Sequence, residues 1–463
     1  MGTTAKSMAQ QPSLGIVWDH PTDTSEARDQ LNVFHEHGID YLQLNHPVNP
    51  DLLTLLRETP FTILIQLDHT YLTLNDIRSL QDNLLQQYVE AADLYRSHLN
   101  LAAIGLLKNS QTSHPDFGNT FAPILDSLSA RSNKDFYFYT NEEWAYFKTP
   151  EIPFATLFAD SVFQRADIAA FDERFGREVS QNSSLIFFMR SQWFIEAHSE
   201  YPEFSESLRE FELSKDWSIA LPASDESRES QPWIVILLIT LWVGLAVLFR
   251  LLPYLRPMLL RYFLAHRFFV DDILHYRERA ITGGIALMAM HALFSGIVFY
   301  VLAESAMSDS GLEAFLHHLP SFSILGVNFA SFFALGVILT LLIQAVALLW
   351  LYLPAKNMEH FSQAVNLYSG TFFLDFLIVT ILVTLYITGF GPTVILIFGA
   401  LFVLIWYGAF NISAFDISRS SGPGTALYLF LTIGLHSLVS IGLLVLFFSN
   451  DSLLQIFDLA LSL

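Results

Sequence analysis

The chain has 463 residues, of which 52% are hydrophobic, 14% aromatic and only 15% charged. A soluble domain carries about a quarter charged residues, so a large apolar excess must be hidden from water. The net charge of −21 argues against nucleic-acid binding, which requires a basic surface. The absence of cysteine excludes disulfides, thiolate metal sites and cysteine nucleophiles.

The charges divide the chain into two halves. Residues 1–231 hold 16 of the 24 Lys and Arg and 34 of the 45 Asp and Glu, a net charge of −18. Residues 232–463 hold the remaining charges, a net of only −3. We therefore predict an acidic soluble domain over 12–222, a polar linker over 223–231 and a membrane domain over 232–463.

The first eleven residues have no hydrophobic core of their own. Ser7-Met8-Ala9 before Gln10 nevertheless has the small-x-small pattern that ends a signal peptide. We interpret residues 1–11 as the remnant of a signal peptide whose hydrophobic region lies upstream of Met1. In the alternative interpretation these residues are a flexible terminus and the first membrane span acts as a reverse anchor.

Short β-rich runs alternate with longer amphipathic runs through 12–222, a pattern typical of α/β folds. Eight strands and seven helices in about 220 residues predict a TIM-like (β/α)8 barrel without its eighth helix. A doubly wound open sheet is the alternative, although no G-x-G-x-x-G motif follows any strand. The predicted strands are 14–18, 41–44, 61–67, 101–107, 136–139, 154–158, 185–189 and 218–221, and the predicted helices lie near 24–37, 50–58, 74–97, 119–131, 141–147, 164–179 and 192–213.

The first two predicted strands end in similar polar turns. Leu14-Gly-Ile-Val-Trp-Asp-His-Pro precedes the first helix, and Gly38-Ile-Asp-Tyr-Leu-Gln-Leu-Asn-His-Pro follows it. Residues 14–68 thereby resemble the opening of glycoside-hydrolase barrels of the β-galactosidase type. The resemblance implies a (β/α)8 barrel for glycans, with catalytic carboxylates at the ends of the fourth and seventh strands.

Those two strand ends hold no carboxylate. The fourth predicted strand runs into Lys108-Asn109-Ser110-Gln111 and the seventh into Arg190-Ser191-Gln192-Trp193. A retaining glycosidase needs an acid and a nucleophile about 5–5.5 Å apart, and Asp116 and Glu196 come too late in the chain to provide them. We therefore assign no catalytic residue and predict binding without cleavage. An active glycoside hydrolase with displaced carboxylates is the alternative.

Polar and aromatic residues do follow the predicted strands, at the face where the loops of such a barrel converge. Tryptophans are suited to stack on a sugar, and basic side chains to hold an anionic group. Asp and Asn also cap helices and bond loop backbones, so a purely structural role is the alternative. No metal or cofactor is assigned, because no metal-spaced motif is present. The candidate ligand-binding residues are Trp18, Asp19, His20, Asn45, His46, Asp68, His69, Lys108, Asn109, Tyr139, Asp160, Arg190 and Trp193.

Six apolar stretches of the second half reach the roughly 20 residues that a helix needs to cross a bilayer. They predict an all-α domain of six transmembrane helices in a lipid bilayer. The amphipathic, basic stretch 250–279 is expected to lie along the inner leaflet and bind anionic headgroups. The predicted spans are about 232–253, 281–303, 322–353, 369–390, 392–413 and 425–449.

The basic residues of this half predict its orientation, because cytoplasmic loops are enriched in Lys and Arg. With six crossings, all eight fall on one side of the membrane. We therefore expect a protein of the plasma (inner) membrane with the first domain and the C-terminus extracytoplasmic or periplasmic. The eight residues are Arg250, Arg256, Arg261, Arg267, Arg277, Arg279, Lys356 and Arg419.

Three ionisable residues lie inside the predicted spans: His291, Asp375 and His436. Such residues are costly in hydrocarbon and often mark ion or proton paths. A neutral histidine satisfied by an interhelical hydrogen bond, and an aspartate near the interface, form the structural alternative.

Taken together, these features predict a membrane-anchored glycosidase-like barrel that binds a glycan or another envelope component. The alternatives are an active glycoside hydrolase and a channel or transporter with an accessory outer barrel.

Overall fold

The computed structural model describes residues 13–67, 69–95, 98, 100–112, 114–131, 135–139, 144–146, 154–156, 168, 171–172, 175–176, 186–214, 217–219, 232–275, 280–356, 358–420 and 422–462. These residues fall into two compact units, one ending before and one beginning after the 228/229 boundary.

Strands and helices alternate along the first unit. Its elements are β1 (Ser13–Val17), α1 (Thr24–Glu36), β2 (Ile39–Asn45), α2 (Pro50–Leu56), β3 (Thr62–Gln66), α3 (Leu74–Ser79), α4 (Gln81–Leu94), β4 (Leu101–Gly105), α5 (Phe117–Arg131), β5 (Asp135–Tyr139), β6 (Trp144–Tyr146), β7 (Phe154–Thr156), β8 (Ile186–Arg190), α6 (Ser191–Glu200) and α7 (Pro202–Ser214). Residues 168, 171–172 and 175–176, inside the predicted helix 164–179, are also helical.

Short polar residues set the starts of the first helices. The Asp23 carboxylate accepts a hydrogen bond from the backbone N–H of Ser25 at the start of α1, and Asn49 caps α2 ahead of Pro50. Thr73 and Asp76 form a reciprocal capping box at the start of α3. Each cap satisfies N–H groups that lack partners within the helix, so the sequence dictates where these helices begin.

The strands form one sheet that follows chain order and closes on itself. From β8 through β1 to β5 every neighbouring pair is parallel, which confirms the predicted parallel α/β class. The remaining strands differ from the predicted (β/α)8 pattern, because β6 runs antiparallel to both β5 and β7. The chain order of the strands also differs from the reversed order of a doubly wound sheet.

The β6 strand accounts for the main errors in the predicted elements. Residues 144–146 alternate large aromatic side chains, which favour a strand, yet they lie in the predicted helix 141–147. Because β6 adds one strand, the predicted seventh strand at 185–189 is β8, the eighth. The predicted strand 218–221 is wrong for the part described, since 217–219 form no strand. The predicted helices 74–97 and 192–213 each divide into two shorter helices.

The two faces of the sheet have different chemistry. Alternate strand residues pack outward against the helices in the larger apolar core. The inward residues form a smaller cluster that contains Tyr41, Leu64, Ala103, Tyr137, Ile186 and Phe188. On the next inward positions of β2 and β3, the buried side chains are Gln43 and Gln66. The inside of the sheet therefore changes from apolar to polar toward the carboxyl ends of its strands.

The absence of a side chain at Gly105 makes this polar level possible. A Cβ at Gly105 would overlap Gln66 Oε1 and lie 2.6 Å from the Tyr137 ring. We expect Gly105→Ala to lower the free energy of unfolding of the first unit by about 1–3 kcal/mol through overpacking, as measured by urea unfolding followed by tryptophan fluorescence. Gly118→Ala, which points into open space on α5, is the control and should leave stability unchanged or raise it. Equal stability of the two variants would contradict the packing described.

The second unit is helical. Its helices are α8 (Pro232–Leu251), α9 (Leu255–Leu264), α10 (His266–Leu274), α11 (Thr282–Ala306), α12 (Asp309–His318), α13 (Ala330–Tyr352), α14 (Phe361–Ser369), α15 (Phe372–Ile387), α16 (Pro392–Ser418), α17 (Thr425–Leu429), α18 (Leu435–Phe448) and α19 (Asp451–Ser462). A 3-10 turn precedes α13 at Pro320–Leu325, and a π-helical turn joins α17 to α18 over Phe430–Gly434.

Six segments of the second unit are long and apolar enough to cross a membrane, as predicted. They are Trp233–Leu251, Thr282–Ala306, Ala330–Tyr352, Phe361–Ile387, Pro392–Ser418 and Thr425–Phe448. The third begins later than the predicted residue 322, because Gly326 at φ +134° separates the 3-10 turn from α13. The fourth begins earlier than predicted, at Phe361, and includes both α14 and α15.

The helix α11 is the most buried of the six segments. It packs closely on α13 because both helices present glycines at the contact. A Cβ at Gly296 would lie 2.8 Å from the backbone oxygen of Phe333, and one at Gly336 would lie 3.0 Å from Gly296 Cα. Small residues let membrane helices approach this closely, and the close approach brings polar side chains of α11 and α13 together.

Candidate functional site

The carboxyl edge is the end of the sheet where the parallel strands finish. Here Val17 lies in register with Gln43 on one side and with Arg190 on the other, and Asn45 lies beside Gln66. These residues continue the inward-facing positions of their strands, since side chains alternate along a strand. Gln43 and Gln66 are buried, whereas Asn45 and Arg190 are exposed. The interior of the sheet thus ends in hydrogen-bonding groups that become more exposed toward the edge.

Gln66 carries an unused acceptor at this level. Its Nε2 donates to the Leu67 carbonyl at 3.1 Å, while its buried Oε1 has no hydrogen-bond partner among the described residues. A buried polar atom without a partner costs stability. Such an atom is often found where a protein binds water or a ligand.

A cavity of about 430 Å³ opens beside the carboxyl edge, between the loops after β2 and β3 and the helix α4. We call it the α4 cavity. Its wall combines imidazole, amide and carboxylate groups with aliphatic carbon, a combination suited to a small polar ligand. The lining residues are His46, Leu67, His69, Gln87, Glu90, Ala91 and Leu94.

Buried tyrosines fix the two histidines of the α4 cavity. The Tyr95 hydroxyl accepts from the Val48 N–H at 3.3 Å and forms a hydrogen bond of 2.7 Å with His46 Nδ1. The ring of His69 packs edge-on against Tyr88, whose hydroxyl donates to the Leu106 carbonyl. Burial raises the pKa of both tyrosines, so their hydroxyls stay protonated and keep these roles.

The structure brings only part of the predicted ligand set together. His46 and His69 share the α4 cavity, and Lys108 follows in the neighbouring loop, where its N–H donates to the His69 carbonyl. The predicted residues Asp19, Asn45 and Arg190 are exposed, and His20 and Asn109 are half-buried. Asp68, Asp160 and the side chain of Tyr139 lie outside the described residues.

The predicted stacking of Trp18 and Trp193 on a sugar is wrong in this structure, because both indoles are buried. Trp18 follows the outward positions of β1, and its Nε1 donates to Gln30 Oε1 at 2.7 Å. Trp193 packs between Phe171 and Phe204. Both tryptophans are therefore part of the core between sheet and helices.

No acid follows β4 within the described residues 106–112, as the sequence indicates. The corrected strand count also changes which strand is the seventh. The seventh strand is β7, and the predicted candidate Asp160 comes four residues after its last residue, Thr156. Among the described residues, no three His, Asp or Glu side chains come together as a metal site.

A second polar site lies inside the membrane unit, where α11, α13 and α15 meet. His291 Nε2 and Asp375 Oδ2 are 2.9 Å apart, and Gln344 Nε2 lies 2.9 Å from His291 Nδ1. All three side chains are fully buried. The His291 ring stacks on Phe372 at 4.1 Å between ring centres and on Phe402 at 5.4 Å. We call His291 and Asp375 the His–Asp pair.

The sequence indicated two members of this site and missed the third. Gln344 is the one amide in the third membrane segment. It is not identified when only ionisable residues are considered as candidates. The third predicted residue, His436, lies elsewhere. Its ring stacks on Phe410 at 4.0 Å and on Tyr407 at 5.0 Å, and its Nδ1 has no hydrogen-bond partner in the part of the chain described.

Comparison of the sequence with protein-family models and with curated proteins gives no match.

The hydrogen bond of the His–Asp pair predicts that substitutions of its two residues have coupled effects on the free energy of unfolding. We expect His291→Leu to lower the free energy of unfolding by about 3–5 kcal/mol, because it leaves a buried carboxylate without its partner. The double variant with Asp375→Leu should recover much of this loss, since removing both partners removes the uncompensated group. Thermal unfolding of the detergent-purified protein measures both effects. Additive losses in the double variant would show that the two residues do not act as a pair.

Proposed function

We propose that the chain is an integral membrane protein whose first unit binds a hydroxylated ligand, such as a glycan or another envelope component, at its carboxyl edge without cleaving it. The α4 cavity carries this proposal. Its volume of about 430 Å³ falls within the range of small-molecule sites, about 300–1,000 Å³.

The chemistry of the cavity favours a ligand rich in hydroxyls. The wall combines the His46 imidazole with the Glu90 carboxylate and the Gln87 amide, which together supply hydrogen-bond acceptors and donors. Leu67 and Leu94 supply apolar surface for the carbon face of a sugar ring. Arg190, which ends β8 at the same carboxyl edge, would favour a ligand that also carries a carboxylate or phosphate. The net charge of −18 in this half of the chain opposes long-range attraction of such an anion, so we propose modest affinity.

Binding without hydrolysis follows from the missing carboxylate after β4. Glycoside cleavage requires one acid to protonate the leaving group and a second carboxylate to attack or to activate water. The Arg190 side chain is a hydrogen-bond donor without a carboxylate oxygen, so it cannot replace the attacking group. The resemblance of residues 14–68 to β-galactosidase-type barrels supports the class of ligand, and the hydrolase alternative would depend on Asp160 after β7.

The one-sided distribution of Lys and Arg supports the proposed placement in the membrane. All eight basic residues of the second half fall on one side if the six segments all cross. On this basis we propose that the first unit and the C-terminus lie outside the cytoplasm, where envelope glycans are found.

The binding proposal predicts the effect of changing the cavity wall. Combined Gln87→Ala and Glu90→Ala substitutions should weaken binding of soluble envelope oligosaccharides about tenfold or more, since two or more hydrogen bonds of about 1 kcal/mol each are lost. Glycan-array screening of the purified full chain identifies the ligand, and calorimetry measures its affinity. Asp93→Ala, exposed on the same helix and outside the cavity wall, is the control.

The unmodified protein should also leave aryl glycosides intact. Turnover that is abolished by Asp160→Asn, or by the same change at Asp19 or Asp68, would establish the hydrolase alternative. The absence of any bound oligosaccharide would refute the binding proposal.

The proposed orientation in the membrane predicts which reporter fusions give an extracytoplasmic signal and which give a cytoplasmic one. Fusions after residues 225, 310 and 463 should report an extracytoplasmic location, and fusions near 265 and 360 a cytoplasmic one, because the basic loops are retained inside. Paired alkaline phosphatase and green fluorescent protein reporters measure each site. A cytoplasmic signal at 225 would overturn both the placement and an extracytoplasmic ligand.

A further inference from the structure

The His–Asp pair is only partly satisfied by its surroundings. Asp375 Oδ2 bonds His291, but its buried Oδ1 has no hydrogen-bond partner among the described residues. Gln344 Nε2 donates to His291 Nδ1 and to the Met288 carbonyl, at 2.9 and 3.4 Å. Its Oε1 is buried without a partner in the same part of the chain. A purely structural pair would be expected to satisfy these oxygens, because buried polar groups without partners are costly.

The hydrogen bonds define where protons sit. Because Gln344 Nε2 is a donor, His291 Nδ1 accepts, and the ring hydrogen on Nε2 points to Asp375 Oδ2. Both ring nitrogens are therefore engaged, and neither presents a lone pair to a metal ion. Asp375 Oδ1 remains as the acceptor that can take up a proton.

Further buried polar atoms without partners lie on either side of the pair. Ser295 lies one turn from His291 along α11, next to Gly296, and Thr340 lies one turn from Gln344 on α13; both are buried. The antiparallel contact of Gly296 with Gly336 places these two residues on the same seam as the His291–Gln344 bond. Neither hydroxyl has a hydrogen-bond partner among the described residues.

In the other direction, the unsatisfied atoms lie against the start of α11. A Cβ at Gly284 would lie 2.9 Å from Asn366 Oδ1 and 3.1 Å from Ser369 Oγ. Both oxygens are buried and have no partner in the described chain. Gly284 is about 10 Å along the helix from His291, and Ser295 about 6 Å on the other side. Buried polar atoms of this kind are the groups to which internal water bonds in proteins.

Titratable side chains also lie toward the two ends of α11, with Glu304 nine residues, or about 14 Å, beyond Ser295 along the helix. At one end Glu304 Oε2 accepts from the Tyr386 hydroxyl at 2.6 Å. At the other, His266 Nε2 lies 2.9 Å from Asp416 Oδ2, and its ring contacts Tyr262. His266 is one-third exposed, so this end reaches solvent or headgroups.

Aromatic side chains of neighbouring helices pack beside these polar groups. Tyr262 packs against Gly370, directly after Ser369. Beside the pair itself, α14 contributes the titratable Tyr368, whose hydroxyl accepts from Trp406 Nε1 on α16.

We propose that the His–Asp pair is the proton-binding site in the middle of a proton path through the membrane unit. A proton from water on one side forms an O–H bond at Asp375 as the O–H bond of its donor breaks. It leaves toward the other side by the reverse step, which restores the carboxylate. The Nε2–H···Oδ2 bond lets His291 share the proton during this exchange, and no co-reactant is consumed. This path is independent of ligand binding by the first unit.

Proton flux into vesicles tests the path. The full chain, reconstituted in liposomes with an internal pH-sensitive dye, should pass protons faster than protein-free vesicles under a valinomycin-imposed potassium potential. Asp375→Asn should lower this flux at least about tenfold, because an amide cannot take up the proton. Ser295→Ala should lower it to a smaller extent. The control is His436→Leu, which removes the other intramembrane histidine and should leave the flux unchanged.

Three outcomes would overturn the proposal. They are wild-type flux equal to that of protein-free vesicles, undiminished flux in Asp375→Asn, and flux that requires sodium and vanishes when choline replaces it. Gel filtration and circular dichroism establish that each variant is folded. If Asp375→Asn does not fold, the double variant His291→Leu with Asp375→Leu takes its place, and the wild-type measurement still decides on its own.

Discussion

A side chain that can carry charge is expensive inside a bilayer, and the hydrogen bond between His291 and Asp375 is how this protein accommodates two of them. The bond joins α11 to α15, and Gln344 joins the same imidazole to α13. Phe372 and Phe402 enclose the ring from α15 and α16. Four helices are thereby held in one arrangement around a single histidine.

The close packing of α11 on α13 makes these hydrogen bonds possible. Gly296 and Gly336 bring α11 and α13 into backbone contact, which places Gln344 within reach of His291. A larger residue at either glycine would separate the helices and lengthen the bond. The polar atoms left without partners lie along the same helix faces, so close packing and incomplete satisfaction occur together. That combination is more typical of a site than of a structural pair.

In the first unit, polar groups are placed at one end of a closed sheet. The inward positions pass from Leu64 to Gln66 along β3, and Gly105 leaves room for that amide. Beside the sheet, Tyr95 and Tyr88 orient the histidines of the α4 cavity. The proposed ligand binding depends on these hydrogen-bonding groups at the carboxyl edge and in the α4 cavity.

Sequence patterns were sufficient for the class of each half. Apolar length found all six membrane segments, and the alternation of strands and helices found the parallel α/β sheet. The patterns failed where short elements depend on tertiary context. Residues 144–146 form a strand through pairing of their backbone with β5, and Leu80 interrupts a long helical run.

The candidate sites were predictable to different degrees. His291 and Asp375 were recognisable because ionisable residues are rare in apolar segments, but their contact spans 84 residues of sequence and no spacing reveals it. Trp18 and Trp193 were misjudged because position after a strand does not tell whether a side chain faces ligand or core. The α4 cavity depends on Gln87 and Glu90, which in sequence are ordinary polar residues of an amphipathic helix.

If the His–Asp pair exchanges a proton, Asp375 must change between a carboxylate and a carboxylic acid. Infrared difference spectroscopy of the intact reconstituted protein, recorded while the pH is changed, detects this conversion. We expect a carboxylic acid C=O band that appears as the pH falls and is missing in Asp375→Asn. A spectrum without such a band, or the same band in Asp375→Asn, would show that Asp375 does not take up the proton.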